Sequence, residues 1–397
     1  MESISNRVNS LSPSATIAMN QKSRDLQAKG INVINLSVGE PDFFTPDHIK
    51  DAAKKAIDDN FSFYPPVPGY PDLLKAVSEK FKKENNLDYT PQQIIVSCGA
   101  KHSLANAMMS LVNKGDEVII PAPYWVSYLE QVKLCEGTPV VIEAKYKDNF
   151  KITAAQLEAA LTPKTKALLL CSPSNPSGAV YSKSELRSLA DVLVKHPQVF
   201  IISDEIYEHI NFIGGHETIA QFADMKERTV LINGVSKAYA MTGWRIGYMA
   251  GPQWLAKACD KLQGQTTTGA TTISQKAATA ALTGDQGCVA EMNKAFKRRK
   301  ELVVKLVREM PNVKVYDPDG AFYVFPKMDA YYGKSFNGSV IKGSTDLCLY
   351  LLEQAHIATV PGDAFGDDAC IRISFATSDE KLVEAMKRMK NALAELK

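Results

Sequence analysis

The stretch Ser236-Lys237-Ala238-Tyr239-Ala240-Met241-Thr242-Gly243-Trp244-Arg245 decides how this chain is interpreted. It places a hydroxyl at Ser236, an amine at Lys237 and a guanidinium at Arg245, beside a glycine. These groups suit a small molecule that has an aldehyde at one end and a phosphate at the other. Pyridoxal 5′-phosphate is such a cofactor, because a lysine can hold its aldehyde as a Schiff base while an acidic residue tunes its ring nitrogen. The alternative for Lys237 is a solvated lysine on a turn.

Composition limits the class of protein. A chain of 397 residues is long enough for about two domains. Its hydrophobic content of 45% and charged content of 23% are typical of a globular protein. A formal net charge of +2 gives no reason to expect nucleic acid or a membrane surface as a partner. No run approaches the ~18 apolar residues that span a bilayer, and the first thirty residues lack a secretory pattern, so we expect a cytoplasmic protein.

The cysteines and histidines indicate no cross-links and no metal. The seven cysteines are scattered and form no CxxC pair, which is typical of reduced thiols in the cytosol. The six histidines never occur at a ligand spacing, so we expect no metal site. A basic run, 297–300, lies in a long helical pattern and is interpreted as a solvated helix face.

Short apolar runs alternate with helical patterns through most of the chain. Each run is continuous, which is typical of strands buried on both faces of a largely parallel sheet. The runs are 94–96, 117–120, 140–142, 167–170, 199–202 and 230–232. Between them, Pro71 opens one helical pattern and Ser182 and Glu185 have capping-box spacing ahead of another. This alternation predicts a doubly wound α/β domain over residues 48–290.

The pattern changes after about residue 285. A charged helical pattern runs to Met310, strand-like pieces follow at 320–325 and 371–375, and an amphipathic helix closes the chain. The apolar stripe of that last helix consists of Leu382, Met386, Met389 and Leu393. We expect a smaller α+β domain made of residues 16–47 and 291–397, with residues 1–15 as an N-terminal arm.

Polar residues that follow the apolar runs are candidates for a site, because ligands of open α/β sheets bind beyond the carboxyl ends of the strands. Asp204 follows one run and either caps a helix or keeps a pyridinium protonated. Tyr207 lies three residues later and could reach a phenolic oxygen on the same ring. Asn175, held by flanking prolines, could donate an oriented hydrogen bond, or belong to a plain loop.

Three further positions have both a structural and a functional interpretation. The Gly99–Lys101 turn leads from a strand into a helix and could present backbone N–H groups to an anion. Lys101 is either a solvated surface residue or a cation directed into the same cleft. Trp125 is either a core residue or an aromatic face that stacks on a planar cofactor. Arg372, inside an apolar run, either forms an edge salt bridge or grips a substrate carboxylate in a bidentate pair.

Together these motifs resemble the class I/II pyridoxal-phosphate aminotransferases, and most closely the bacterial aspartate aminotransferases. The resemblance is found in 37–43 (Ser-Val-Gly-Glu-Pro-Asp-Phe), 64–66 (Tyr-Pro-Pro), 172–178, 204–207 and 236–245. It spans the whole chain. It implies the fold-type I α/β architecture: a large, doubly wound, mostly parallel-sheet domain plus a smaller α+β domain.

The resemblance also implies roles at the cofactor ring. Lys237 would form the Schiff base and move a proton between substrate and cofactor. Asp204 would pair with the pyridine nitrogen, and Asn175 and Tyr207 would hold the phenolic oxygen.

Further roles concern the phosphate and the substrate. The phosphate would be held by Ser236, Arg245, Gly99, Ala100 and Lys101, with Tyr64 reaching in from a partner subunit. Trp125 would stack on the cofactor ring. The substrate would be bound by Arg372, Asn175, Gly39, Lys101 and Trp125. The family forms homodimers with active sites at the interface, so the resemblance implies a homodimer.

The expected reaction is reversible, ping-pong transfer of an amino group between L-aspartate and 2-oxoglutarate, giving oxaloacetate and L-glutamate. In this family, the aspartate aminotransferases of higher organisms bind the distal carboxylate with a partner-subunit arginine. The segment that resembles that region here, 265–270, contains no arginine. Lys101 stands where the bacterial branch uses a lysine. Aromatic amino acids, prephenate or alanine are alternative substrates, and a carbon–sulfur β-lyase is an alternative reaction.

Overall fold

The computed structural model describes residues 4–397, so residues 1–3 of the predicted arm lie outside the described residues. The helices are α1 (Asn6–Asn9), α2 (Ala15–Ala28), α3 (Asp47–Asp58), α4 (Pro71–Asn85), α5 (Ala100–Leu111), α6 (Ser127–Leu134), α7 (Ala154–Ala160), α8 (Lys183–Val194), α9 (Ala223–Lys226), α10 (Gln253–Thr266), α11 (Thr272–Thr283), α12 (Gly287–Arg308), α13 (Ser344–Gln354) and α14 (Asp379–Glu395). The strands are β1 (Ile34–Asn35), β2 (Ile94–Ser97), β3 (Glu117–Ala122), β4 (Thr138–Glu143), β5 (Thr165–Cys171), β6 (Phe200–Asp204), β7 (Thr229–Gly234), β8 (Gly247–Ala250), β9 (Tyr323–Val324), β10 (Ser335–Phe336), β11 (Ser339–Val340), β12 (Ile357–Ala358), β13 (Val360–Pro361) and β14 (Ile371–Ser374).

A seven-stranded sheet in the order β2-β8-β7-β6-β5-β3-β4 organises the larger part of the fold. Strand β8 is antiparallel to both of its neighbours, and the other adjacent pairs are parallel. All six strands predicted from apolar runs are present, which confirms the mostly parallel α/β architecture. Strand β8 was missed because it is short and starts with Gly247. Since the six parallel strands point the same way, the residues that follow them meet at one edge of the sheet.

Local signals explain several element boundaries. Helix α4 begins at Pro71, whose missing N–H needs no partner in the first turn. Helix α8 begins with the predicted capping box, in which the Ser182 hydroxyl accepts from the Glu185 N–H and the Glu185 carboxylate accepts from the Ser182 N–H. Burial on both faces holds for β7 but not for β4, where Val141 is 43% exposed. Strand β4 lies at one edge of the sheet, whereas β2, at the other edge, is buried throughout because α4, α5 and α10 pack against it.

A second core lies under the C-terminal third of the chain. It joins residues 19–36 to the inner faces of α12, α13 and α14, and includes the predicted stripe of the last helix. Strands β13, β14 and β9 form an antiparallel sheet there, in which Tyr323–Val324 of the first predicted piece and Ile371–Ser374 of the second are paired. The division into residues 1–15, 16–47 with 291–397, and 48–290 stays a prediction.

The basic run on α12 is not simply a solvated face. Arg299 is buried and its two terminal nitrogens bind Asp42 at 2.7 and 2.9 Å. The ring of Phe43 packs edge-on against Phe296 of the same helix at 5.5 Å. The interpretation was wrong at Arg299 because α12 packs against the segment that contains Asp42. Among the helices of residues 4–397, none combines the length and apolar character that crossing a membrane requires.

Candidate active site

The residues beyond the strand ends enclose a cavity of about 270 Å³. Eleven of the thirteen predicted site residues line it, namely Gly39, Ala100, Lys101, Trp125, Asn175, Asp204, Tyr207, Ser236, Lys237, Arg245 and Arg372. The other two are Gly99, which lies one residue before the lining residue Ala100, and Tyr64, which is 90% exposed. The structure therefore brings together residues that are up to 333 positions apart, from Gly39 to Arg372.

Lys237 lies three residues after β7 ends. Its Nζ donates to the Gly39 carbonyl at 2.6 Å and lies 5.7 Å from the centre of the Tyr207 ring. Burial lowers the pKa of Lys237 to about 8, although the carboxylates of Glu40 and Asp204 oppose that shift. A neutral amine is consequently accessible near neutral pH, as a nucleophile or a base requires.

Asp204 ends β6 as a buried carboxylate with two hydrogen-bond donors. The Tyr128 hydroxyl donates to Oδ2 at 2.7 Å, and the Ile206 N–H donates to Oδ1 at 3.3 Å. Burial raises the pKa of Asp204 to about 6, and the Tyr128 hydrogen bond acts against that rise. Sequence reasoning missed Tyr128. Its position on the first turn of α6, just after Trp125, was the only signal.

One end of the cavity is positively charged. Gly99 precedes α5 with φ of +88°, and a Cβ there would lie 2.3 Å from Nη2 of Arg245, so the close approach requires glycine. The Arg245 guanidinium is held by the carbonyls of Thr242 at 2.7 Å and Cys98 at 3.5 Å. Desolvation and the charge of Arg245 lower the pKa of Lys101. The N-terminus of α5 adds a partial positive charge, so this end suits an anion.

Arg372 lies on β14 and is 1% exposed. Nη1 donates to Asn175 Oδ1 at 3.0 Å and Nη2 donates to the Ser37 carbonyl at 2.6 Å, while Nε has no partner among the described residues. No carboxylate of residues 4–397 forms a salt bridge with it, so the edge-strand salt bridge that was one interpretation of Arg372 is absent there. A buried guanidinium without a counter-ion has the capacity to bind a carboxylate.

Two tyrosines meet beside Lys237 and Arg372. The hydroxyl of Tyr207 lies 2.7 Å from that of Tyr323, and both side chains are buried. Tyr323 lines the cavity from β9 and was missed, because in the run 320–325 nothing distinguishes it from a core aromatic.

Trp125 also lines the cavity, and the centre of its ring lies 4.7 Å from Lys101 Nζ. Ser14, Thr16 and Ile17 also line the cavity, from the start of α2. Sequence reasoning assigned nothing to these three residues, because the segment is polar and has no motif.

The stretch 205–216, which follows the cavity residue Asp204, contributes to two groups of carboxylates and histidines. They share Glu208, and the Lys80 ammonium contacts that carboxylate directly. The groups are Glu84, Glu208 and His209, and Glu205, Glu208 and His216. The buried Lys80 therefore supplies a positive charge at the shared residue.

Comparisons with known proteins agree on one family. The family model described as aminotransferase class I and II matches residues 31–389. A probable aspartate/prephenate aminotransferase of Rickettsia bellii is 50% identical over 399 residues, and the match covers 100% of both chains. A bifunctional aspartate aminotransferase and glutamate/aspartate-prephenate aminotransferase of Petunia hybrida is 48% identical, with 100% of this chain and 84% of that protein covered.

Solved structures are similar over the same length. The aspartate aminotransferase from Rhizobium meliloti superposes with a TM-score of 0.96 at 45% identity, covering 100% of both chains. The aspartate aminotransferase from Thermus thermophilus with maleate has a TM-score of 0.93 at 38% identity, covering 99% of this chain and 100% of that chain.

Proposed function

We propose that this chain, which belongs to the class I and II aminotransferases, binds pyridoxal 5′-phosphate in the cavity and transfers amino groups between L-aspartate and 2-oxoglutarate. The observation that supports this most strongly is the arrangement around one cavity of an amine, a buried carboxylate and a buried guanidinium without a counter-ion. These are Lys237, Asp204 and Arg372.

The residues present fit the cofactor at both ends. Arg245 and the N-terminus of α5 form a cationic end that a phosphate would neutralise, and Gly99 leaves room for Arg245 where a Cβ would collide. At the other end, Lys237 has the lowered pKa that a reactive amine needs. Asp204 is buried with a pKa of about 6, and its ionised form would pair with a protonated ring nitrogen. Ser236 and Ala100 would contribute to the phosphate site, and Trp125 would cover the ring.

The bound cofactor would act as an electron sink for the pair left on the substrate Cα. The protein's part is to position groups and to move a proton. Lys237 Nζ, in its neutral form, would take the proton from the substrate Cα and deliver it to the cofactor's former aldehyde carbon, on the other side of the amino nitrogen. Tyr207 and Asn175 would hold the phenolic oxygen, which fixes the ring relative to Lys237.

Substrate recognition starts at the α-carboxylate. The Arg372 guanidinium packs against the rings of Tyr323 and Phe365 and has an unpartnered Nε, so a carboxylate would complete its hydrogen bonding. Asn175 accepts from Arg372 in this structure and would help to orient the substrate, as would the backbone of Gly39.

The distal carboxylate distinguishes aspartate from alanine. Lys101 lines the cavity with its ammonium over Trp125, and no salt bridge to it occurs within residues 4–397. It is free to pair with a second carboxylate. A relative's structure is described with maleate, which is a dicarboxylate, in agreement with this role.

Prephenate is the second candidate acceptor. Several relatives are named as aspartate/prephenate aminotransferases, including one that is 50% identical over its whole length. Prephenate has two carboxylates, so it would use the same pair of cations, Arg372 and Lys101.

A substrate panel followed at the cofactor's absorbance bands tests the proposal. We expect aspartate, but not alanine, to convert the bound cofactor rapidly, and 2-oxoglutarate or prephenate to reverse the change. Pyruvate and ammonia released from cystathionine without an acceptor would instead support the β-lyase. Conversion by alanine and aspartate at equal rates would contradict the dicarboxylate assignment.

A homodimer with Tyr64 reaching the partner's phosphate site is also part of the proposal. Tyr64 is 90% exposed, and Phe63 and Phe44 are 80% and 92% exposed, an aromatic surface that is typical of an interface. Mixing Lys237→Ala subunits with Tyr64→Ala subunits tests it, because each mixed dimer would hold one intact site. Random reassortment of a two-fold dimer should restore about a quarter of wild-type activity. No restoration after exchange would contradict a shared site.

A cytoplasmic location completes the proposal. All seven cysteines are free thiols, which is typical of proteins kept in reducing compartments. Fractionation of cells with an antibody to this chain checks the location.

A further inference from the structure

Tyr323 contacts three groups of the candidate site at once. Its hydroxyl lies 2.7 Å from the Tyr207 hydroxyl. Its ring lies 4.5 Å from the guanidinium carbon of Arg372. A Cβ on Gly39 would lie 2.4 Å from the Tyr323 hydroxyl, which means that the Gly39 backbone packs directly against this hydroxyl. Tyr323 is fully buried, so water does not compete for these contacts.

The hydroxyl contact has a direction. Each tyrosine hydroxyl has one hydrogen and can also accept. If the Tyr207 O–H donates to a phenolic oxygen of the cofactor, the hydrogen between the two tyrosines comes from Tyr323. A hydroxyl that accepts a hydrogen bond is a stronger donor in its own bond, because the two bonds polarise each other.

The ring contact acts on Arg372 differently. The guanidinium carbon of Arg372 lies 4.5 Å from the centre of the Tyr323 ring and 5.0 Å from the centre of the Phe365 ring. Aromatic faces attract a cation and keep its planar fork in one orientation without using an N–H. The N–H groups that the protein leaves unused stay available to a carboxylate.

We propose that Tyr323 is a positioning residue of the reaction: its hydroxyl holds the Tyr207 hydroxyl in its donating direction, and its ring holds the Arg372 guanidinium. This inference rests on the proposed function, since it assigns Tyr207 to the cofactor and Arg372 to the substrate. The hydroxyl of Tyr323 should affect the pH titration of the cofactor's absorbance, and its ring should affect KM.

Tyr323→Phe and Tyr323→Leu separate these halves in the holoenzyme. Phe keeps the ring, so the variant should keep its fold and a KM for aspartate within about twofold of wild type. It should shift the pH midpoint of the cofactor's visible absorbance upward by roughly half a pH unit, because Tyr207 donates more weakly to the phenolic oxygen. Leu also removes the ring, so KM should rise about tenfold for aspartate and for alanine alike, since both present the α-carboxylate to Arg372.

Tyr89→Phe is the matched control, because Tyr89 is a buried tyrosine whose hydroxyl has no partner among the described residues and lies outside the cavity lining. It should titrate as wild type. The double variant Tyr207→Phe with Tyr323→Phe should titrate as Tyr207→Phe alone, because the Tyr323 hydroxyl acts only through Tyr207. Coincident titrations of Tyr323→Phe, Tyr89→Phe and wild type would overturn the role of the hydroxyl. An unchanged KM in Tyr323→Leu would overturn that of the ring. A wild-type protein that gains no visible absorbance from the cofactor would overturn the proposed function itself.

Discussion

Removing one hydroxyl from Tyr128 should change the pH range in which the protein binds its cofactor. Asp204 is 5% exposed, and the Tyr128 hydroxyl, at 2.7 Å, is the closer of its two donors. The ionised carboxylate is the form that pairs with a protonated ring nitrogen. Tyr128→Phe keeps the ring that packs edge-on against Trp125 at 5.4 Å and removes only the donor.

The size of the effect follows from that hydrogen bond. A bond to a charged group contributes about 1.5–3 kcal/mol. At 1.36 kcal/mol per pKa unit, losing it raises the pKa of Asp204 by roughly 1–2 units. Burial already places that pKa at about 6 in the wild type. The variant should therefore hold a protonated Asp204 up to about pH 7–8.

Cofactor affinity measured against pH, by quenching of tryptophan fluorescence, provides the assay. The protein should bind the cofactor tightly above the pKa of Asp204 and should lose that affinity as the pH falls through this pKa. The loss should begin near pH 6 in the wild type and one to two units higher in Tyr128→Phe. The cofactor's own titration is common to both proteins and cancels in the comparison. Superimposable profiles for the two proteins, with Tyr89→Phe as the control, would refute the reasoning.

Four other predictions follow from the same geometry. Arg372→Ala should cost about 2–5 kcal/mol in kcat/KM for aspartate; unchanged steady-state constants would remove it from carboxylate binding. Lys101→Ala should lower kcat/KM for aspartate much more than kcat/KM for alanine, whereas equal losses would assign Lys101 to the phosphate. Uptake of pyridoxal 5′-phosphate by the apo-protein, followed by stopped-flow absorbance, should accelerate with pH up to about 8, where Lys237 loses its proton, and then level off; a flat profile would contradict a reactive Lys237. Glu208→Gln should lower the free energy of unfolding by about 1.5–3 kcal/mol, because the buried Lys80 loses its nearest carboxylate and keeps only Asn85 Oδ1 at 2.8 Å and Glu84 at 3.6 Å. Burial acts to raise the pKa of Glu208, but the charges of Lys80, His209 and His216 together lower it to about 2. In the wild type the stability that Glu208 contributes, present above pH 4.5, should therefore fade between pH 4.5 and 2 in urea titrations; a Glu208→Gln curve that matches the wild type would contradict the pairing.

The sequence predicted the sheet well because its signals are local. Continuous apolar runs are buried on both faces wherever a strand has two neighbours, and a polar residue such as Asp204 at the end of a run marks the edge where ligands bind. Strand β8 escaped prediction because it begins with Gly247, and the exposure of Val141 escaped it because burial of an edge strand depends on which helices pack against it, which no local pattern encodes.

The sequence predicted those site residues whose side chains are unusual in their surroundings. It missed those whose side chains are common there. An arginine in an apolar strand, such as Arg372, is conspicuous. Tyr128 and Tyr323 are not, since a tyrosine in an apolar run usually belongs to the core and only tertiary packing shows where its hydroxyl points. Arg299 shows the reverse error, because a basic run on a helix hides the one member that packs inward against Asp42.

Borohydride reduction of the protein after incubation with pyridoxal 5′-phosphate, followed by peptide mass spectrometry, tests the central claim most directly. The expected result is a single, stably attached pyridoxyl group on the side-chain nitrogen of Lys237. A protein that stays colourless and unmodified, or a label distributed over surface lysines with Lys237 free, would contradict the account.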